Sequence, residues 1–184
     1  MKMTNPCVSF WIKTSTTDVD AICNNFAYVS SKYYGFGLWI TSSAPAGRIE
    51  MISARGTGNV ASTDYSVAFS SSTVNDNNWH HCLVGHKASD KIYFYIDGVL
   101  DNTYNWAYSC AYTTNHYPRI FCRNDTGSTN SDWFSGSLDS VTWIDTADIS
   151  SLGFAKMVYA WARGKYTYGD SMGMSAGLSG SAGY

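Results

Sequence analysis

Charge is scarce in this 184-residue chain: Asp, Glu, Lys and Arg make up 14% of it, against about a quarter in ordinary globular proteins. With 12 basic and 14 acidic residues the formal net charge is −2. The chain therefore lacks the electrostatic footprint from which a nucleic-acid binder draws most of its affinity, and nucleic acid is excluded as a partner. No apolar run approaches the roughly 20 residues that span a bilayer, so no membrane span is expected. Met1 to Pro6 lacks the apolar stretch of a secretory signal, so no signal peptide is expected in this chain. The five cysteines (Cys7, Cys23, Cys82, Cys110, Cys122) form an odd set without a C-x-x-C pair, which argues against a zinc knuckle or a complete disulfide framework. At least one thiol is unpaired. Cys7, Cys82 and Cys122 stand in apolar runs, where cysteine acts as a small buried hydrophobe; the redox compartment stays open.

Ser, Thr, Asn and Gly take the place of the missing charge, while aromatic residues reach 16% (14 Tyr, 8 Phe, 7 Trp). Such a mixture suits short strands joined by polar turns, since aromatic and β-branched side chains pack well on a pleated surface. The length is that of one ordinary domain. Val8, Phe10 and Ile12 alternate with Ser9, Trp11 and Lys13, the period-2 pattern of a strand with one face on a core. Phe36–Ile40 and Arg48–Ile52 read as a hairpin around Pro45 and Gly47, and Tyr65–Phe69 as a further strand. Trp79–His86 and Lys91–Ile96 follow, the second running into Asp97-Gly98, a two-residue turn in which both positions tolerate positive φ. Arg119–Cys122 and Phe134–Ile144 supply the last strands. Over 149–162 the apolar residues recur at three- or four-residue spacing, which predicts one helix capped by Asp148 or Ser150 and ended by Gly164. Residues 165–184 are dominated by Gly, Ser, Met and Ala and cannot bury enough surface to fold alone, so the chain divides into a domain over 1–164 and a tail over 165–184.

The run Trp79-His80-His81, the segment Lys91-Ile92-Tyr93-Phe94-Tyr95-Ile96-Asp97-Gly98 and the later Phe134-Ser135-Gly136-Ser137-Leu138-Asp139-Ser140-Val141 resemble, in order and spacing, the laminin-G-like jelly rolls of the concanavalin A-like lectins and glucanases. Val8-Ser9-Phe10-Trp11-Ile12-Lys13 is similar to the strand that precedes these elements, so the resemblance covers 8–164. It implies an all-β, two-sheet antiparallel jelly-roll sandwich with one short C-terminal helix. Members of the family carry further residues, including an edge strand, before the position of Val8. The resemblance thus implies a gap, to be filled by the tail or by a neighbouring subunit.

The family includes glycosidases that work with paired carboxylates. Glu50 is the only glutamate, so the closely spaced Glu-x-Asp-x-Glu strand of those enzymes is absent, and no two Asp stand two or four apart on a convincing strand. A non-enzyme is expected. His80 and His81 point to opposite faces of their strand, and His80 and His86 lie about 20 Å apart along it, so a structural role is expected for all three rather than a shared metal. Many relatives hold calcium at the sandwich rim with oxygen ligands. Here Asn124, Asp125 and Asp132, with Asn130, crowd one loop; the same residues also read as turn chemistry. For a glycan, exposed rings beside hydrogen-bonding groups are needed, and Tyr104, Trp106, Tyr108 and Tyr112 in a ring-dense loop supply them; the alternative is that several of these rings pack on the sheet.

The expected function is a non-enzymatic recognition module, carbohydrate-binding or adhesive, on an extracellular or virion surface, with a glycan or cell-surface polysaccharide as partner and calcium as the one cofactor considered. The alternative is a structural subunit of a phage particle, tail fibre or filament, assembled from neighbouring copies.

Overall fold

Val8, Phe10 and Ile12 face a common core from β1 (Pro6–Lys13), and Trp11 faces the other way, as the alternation predicts. The computed structural model describes residues 2–57, 64–113, 118–122 and 132–164. The remaining strands are β2 (Asp20–Asn24), β3 (Ala27–Val29), β4 (Lys32–Tyr34), β5 (Phe36–Ile40), β6 (Arg48–Ala54), β7 (Tyr65–Thr73), β8 (His80–His86), β9 (Asp90–Ile96), β10 (Val99–Trp106), β11 (Arg119–Ile120) and β12 (Ser137–Asp145), followed by α1 (Leu152–Ala162). Two five-stranded sheets face each other, in the orders β10-β9-β8-β1-β12 and β11-β2-β5-β6-β7, and every pairing between these strands is antiparallel. This is the jelly-roll sandwich expected. The tail over 165–184 lies outside the described residues.

The core between the sheets is built from fully buried Phe10, Ile12, Phe36, Leu38, Ile40, Ile49, Met51, Ile92 and Phe94. Each such side chain contributes about 1.5–3 kcal/mol by leaving water. On β7 the small residues Ser66, Ala68 and Ser70 are buried, while Tyr65, Val67 and Phe69 alternate with them and stay half-buried. Small residues there also repair the ladder: at the bulge between Arg48 and Glu50, the Ile49 amide donates to the Ser70 hydroxyl at 2.9 Å. β1 is hydrogen-bonded on both sides, by β8 and β12, and β12 forms the edge of that sheet.

The outer face of the first sheet is covered by α1, which seals Cys7, Leu83, Tyr93 and Tyr95 beneath Ile149, Ala155 and Val158. The single helix expected from 149 is interrupted. A 3-10 turn (Ala147–Ser150) is capped by Thr146, and Ser151, in extended conformation, starts α1 by accepting the Phe154 amide at 3.3 Å. The cap is therefore Ser151 rather than Asp148 or Ser150. All five cysteines are free thiols, four of them buried; burial pushes the thiols of Cys7, Cys23 and Cys82 well above their usual range and leaves them unreactive. Trp79, expected within the sheets, precedes β8 and is exposed.

The histidines play the structural parts expected. Asp97 and Gly98 have φ of 52° and 78°, the left-handed pair of a tight hairpin turn. The Asp97 carboxylate accepts the His81 amide at 2.9 Å and lies 2.8 Å from His80 Nδ1, while His80 Nε2 lies 3.1 Å from Asp76. Burial pushes the His80 imidazole down, but the two carboxylates outweigh it and raise its pKa above 6.5. His81, under α1 between Trp11 and Tyr159, is lowered by burial to about 4, and so is His86 in the core.

For His81 and His86 the unfolded chain takes up protons first. Their stabilising contribution is complete above pH 6.5 and declines as the pH falls towards 4, by on the order of 3 kcal/mol for each ring. His80 acts with the opposite sign: its contribution is complete below 6.5 and is lost as the pH rises through its raised pKa. Denaturant midpoints measured between pH 8 and 4 are expected to fall in the acid range, and His86→Gln is expected to flatten that fall.

Candidate functional site

The hydrogen bonds of one end of the second sheet decide which aromatic residues meet. Gly35 donates its amide to Ala111 O at 2.6 Å, and Ala111 donates to Ala54 O at 2.8 Å, so the chain leaving β10 is drawn onto the ends of β5 and β6. Gly35 has φ of 78°, and a Cβ there would sit 1.8 Å from Asn25 O, so no other residue fits this junction without moving backbone. The β3–β4 hairpin turns through Ser30 and Ser31, both with positive φ, and pairs Tyr28 with Tyr33.

Rings then gather over this end. Tyr33 stacks on Phe26 at 5.3 Å, approaches Tyr28 at 4.8 Å and meets the edge of Tyr65 at 4.6 Å. Phe26, buried, is anchored on Trp39. At the end of β6 the Arg55 guanidinium lies 4.3 Å from the centre of the Tyr108 ring, a cation–π contact, and its Nη2 is 3.9 Å from Asp64. The Thr57 hydroxyl donates to the same carboxylate. An exposed Tyr108 ring, half-buried tyrosines and a cation thus share one end of the sandwich.

The four residues singled out for stacking do not act alike. Tyr104 and Trp106 are on strand β10 rather than in a loop. Trp106 is 6% exposed and belongs to the core, because the last inward position of β10 must be filled where the two sheets meet; its exposure excludes it as an open platform. Tyr112 is half-buried against the same core. Tyr104 and Tyr108 remain exposed, at 41% and 44%, and Tyr108 packs against Arg55 and the edge of Trp106, whose ring centre is 4.9 Å away. Asn124, Asp125 and Asn130 lie outside the described residues. Asp132 is described: it has φ of 49°, and its carbonyl accepts the Ala21 amide at 2.8 Å. Among the described residues no three His, Cys, Asp or Glu side chains are placed to hold a metal ion, so Asp132 is the one described carboxylate of that set.

Sequence reasoning missed Tyr28, Tyr33, Arg55, Asp64 and Tyr65. One signal was available for Tyr65: on β7 the large residues occupy alternate positions to Ser66, Ala68 and Ser70, and the small set is the one that faces in. It also missed two buried serine–histidine pairs. Ser53 Oγ lies 3.0 Å from His86 Nδ1, and Ser9 Oγ lies 2.9 Å from His81 Nε2. A nucleophile must reach its substrate, and all four residues are buried, so these pairs act as internal ties.

Trp106→Ala is expected to cost about 3–5 kcal/mol, read as a drop in denaturation midpoint, because it empties part of the core. Tyr108→Ala removes only the cation–π and edge contacts of an exposed ring and is expected to cost less, about 0.5–2 kcal/mol.

Known structures repeat the architecture. The Ruminococcus gnavus IT-sialidase CBM40 superposes with a TM-score of 0.61 at 12% identity, over 83% of this chain and 83% of that one. Domain 4 of AbnA, an extracellular arabinanase from Geobacillus stearothermophilus, gives 0.58 at 14% identity over 86% of this chain and 68% of that one. Mouse laminin alpha1 domains LG4-5 give 0.57 at 14% identity over 79% of this chain. The chain spans only 37% of that laminin fragment and 38% of the receptor binding domain of botulinum neurotoxin D, which it also resembles. No curated protein sequence matches it. A laminin-G family model, described as the concanavalin A-like lectin/glucanases superfamily, matches residues 3–147. With its two antiparallel sheets and that match over most of its length, the chain belongs to the concanavalin A-like lectin/glucanase superfamily.

Proposed function

We propose that this chain is a non-enzymatic carbohydrate-recognition module whose sugar site is the ring-lined end of the second sheet. The observation that carries the proposal is the exposed Tyr108 ring held against Arg55, with the Asp64 carboxylate and the Thr57 hydroxyl beside it. A sugar ring offers an apolar face to such a platform and hydroxyls to the polar groups around it. Two fold relatives support the same reading: one is named as a carbohydrate-binding module, the other was solved with arabinotriose. The non-enzymatic part is supported by the carboxylate inventory. Glu50, the sole glutamate, stands on β6 opposite Trp39 and Phe69, with no second glutamate to act as its acid or nucleophile partner.

The reading includes an extracellular or virion-surface setting, where a domain meets cell-surface polysaccharide. It also includes a calcium ion held by Asn124, Asp125 and Asp132, supported by their hard oxygen donors. On a glycan array the protein is expected to retain a defined set of sugars, and Tyr108→Ala is expected to lose at least about tenfold in affinity for them. Calcium dependence abolished by Asp132→Asn supports the cation. Retention unchanged in Tyr108→Ala contradicts this placement of the site.

A second reading, a structural subunit, is favoured by one observation. At the margin formed by β11 and the chain leading into β12, Ile120, Phe121 and Trp133 are exposed together, Trp133 at 62%, beside a two-residue edge strand. Light scattering at rising concentration is expected to show assembly under this reading, weakened by Trp133→Ser, and a constant monomer mass contradicts it.

A further inference from the structure

The margin of the sandwich between β12 and β11 is left unfinished. β12 pairs with β1 on one side and ends its sheet, so among the described residues no strand meets its other side along its 9 residues. Native sheets blunt so long an edge with Lys, Pro, a bulge or a cover. β12 has neither Lys nor Pro, and its one irregularity is the bulge at Ser140, with φ of 51°. Its side chains Leu138, Val141 and Trp143 pack on the core but stay half-buried, whereas Val8, Phe10 and Ile12 of the neighbouring β1 are fully buried. Across the margin Ile120, Phe121 and Trp133 are exposed. Apolar residues from both sheets thus lie along one open seam.

Residues 165–184 follow α1, and their sequence holds one regular pattern. Over 171–179, Met172, Met174, Ala176 and Leu178 alternate with Ser171, Gly173, Ser175, Gly177 and Ser179. That is the period of a strand with one apolar face and one small polar face. The segment contains neither charge nor proline and matches β12 in length. It also starts within reach. Trp11 Nε1 donates to Ala162 O at 3.3 Å, and Trp11 pairs with Asp139 of β12, so α1 ends above the strand next to the open edge. Neighbouring strands lie about 4.8 Å apart, and the intervening residues 165–170 can span up to about 20 Å. A segment tethered this close meets the edge at a high effective concentration. We propose that residues 171–179 add to the free side of β12 of their own chain as a further strand, with Met172, Met174 and Leu178 laid over the seam towards β11. The inference goes beyond the sugar reading and uses none of its residues. It takes the same margin on which the subunit reading relies, so the two predict different masses in solution.

Hydrogen exchange read by mass spectrometry on the full chain tests this. Peptides covering 171–179 are expected to exchange at least about tenfold more slowly than an unstructured chain of the same sequence, at every protein concentration and with a constant monomer mass. The double substitution Met172→Asp, Met174→Asp is expected to return 171–179 to the unstructured rate and to speed exchange in peptides of β12, with β5 and β6 unchanged. Should that variant fail to fold, the wild-type rates still decide. Exchange of 171–179 at the unstructured rate in the folded wild type overturns the proposal. Protection that appears only as concentration and mass rise overturns its intramolecular form and gives the segment to a neighbouring copy. Protection lost in the double variant while β12 stays unchanged overturns the placement on β12.

Discussion

A short polar relay, buried in an otherwise apolar core, sets where everything at the functional end lies. Ser53 on the second sheet meets His86 on the first at 3.0 Å, and His86 Nε2 lies 3.3 Å from the carbonyl of Trp106. Burial keeps the imidazole neutral at ordinary pH, so one ring nitrogen donates and the other accepts, and the relay holds without an uncompensated charge. It fixes the end of β10 against β6, and the chain then leaves through Tyr108 towards Ala111, whose amide continues onto Ala54. The position of Tyr108 over Arg55 follows from those two attachments.

The two margins of the sandwich are finished differently. At one, Asp101 on β10 accepts the amides of Ser71 and Ser72, and Asn102 donates to Phe69 O at 2.8 Å, so β10 and β7 are tied across the sheets. At the other, β11 pairs over only two residues and leaves Ile120, Phe121 and Trp133 in solvent. Phe121 adopts a left-handed φ of 69°, which a bulky residue rarely does, to donate its amide to Ile22 O while its ring stays outside near Phe134. The proposed recognition end and the exposed margin at β11 use different residues, so the two readings are compatible in a single domain.

The fold was legible because its signals are local. Alternation in Val8–Lys13 and Phe36–Ile40, the Asp97-Gly98 turn and the spacing of Trp79-His80 to Phe134–Val141 each correspond to an element or junction of the sandwich. The site was legible only through Tyr108. Its neighbour Arg55 comes from the end of β6 in the other sheet, and strand order, which no local pattern encodes, brings the two together. Trp106 shows the converse. A ring in an Asn-rich, Tyr-rich stretch reads as exposed, yet strand β10 continues through it and its register turns it inward.

The carbohydrate reading depends on where a bound sugar touches the protein. Amide chemical-shift mapping of the ¹⁵N-labelled chain, with a sugar retained on a glycan array, tests this most directly. Perturbations are expected to centre on Arg55, Asp64 and Tyr108, with the indole of buried Trp106 moving only as a neighbour. Perturbations centred on Phe121 and Trp133, with the ring-lined end unchanged, would contradict that reading.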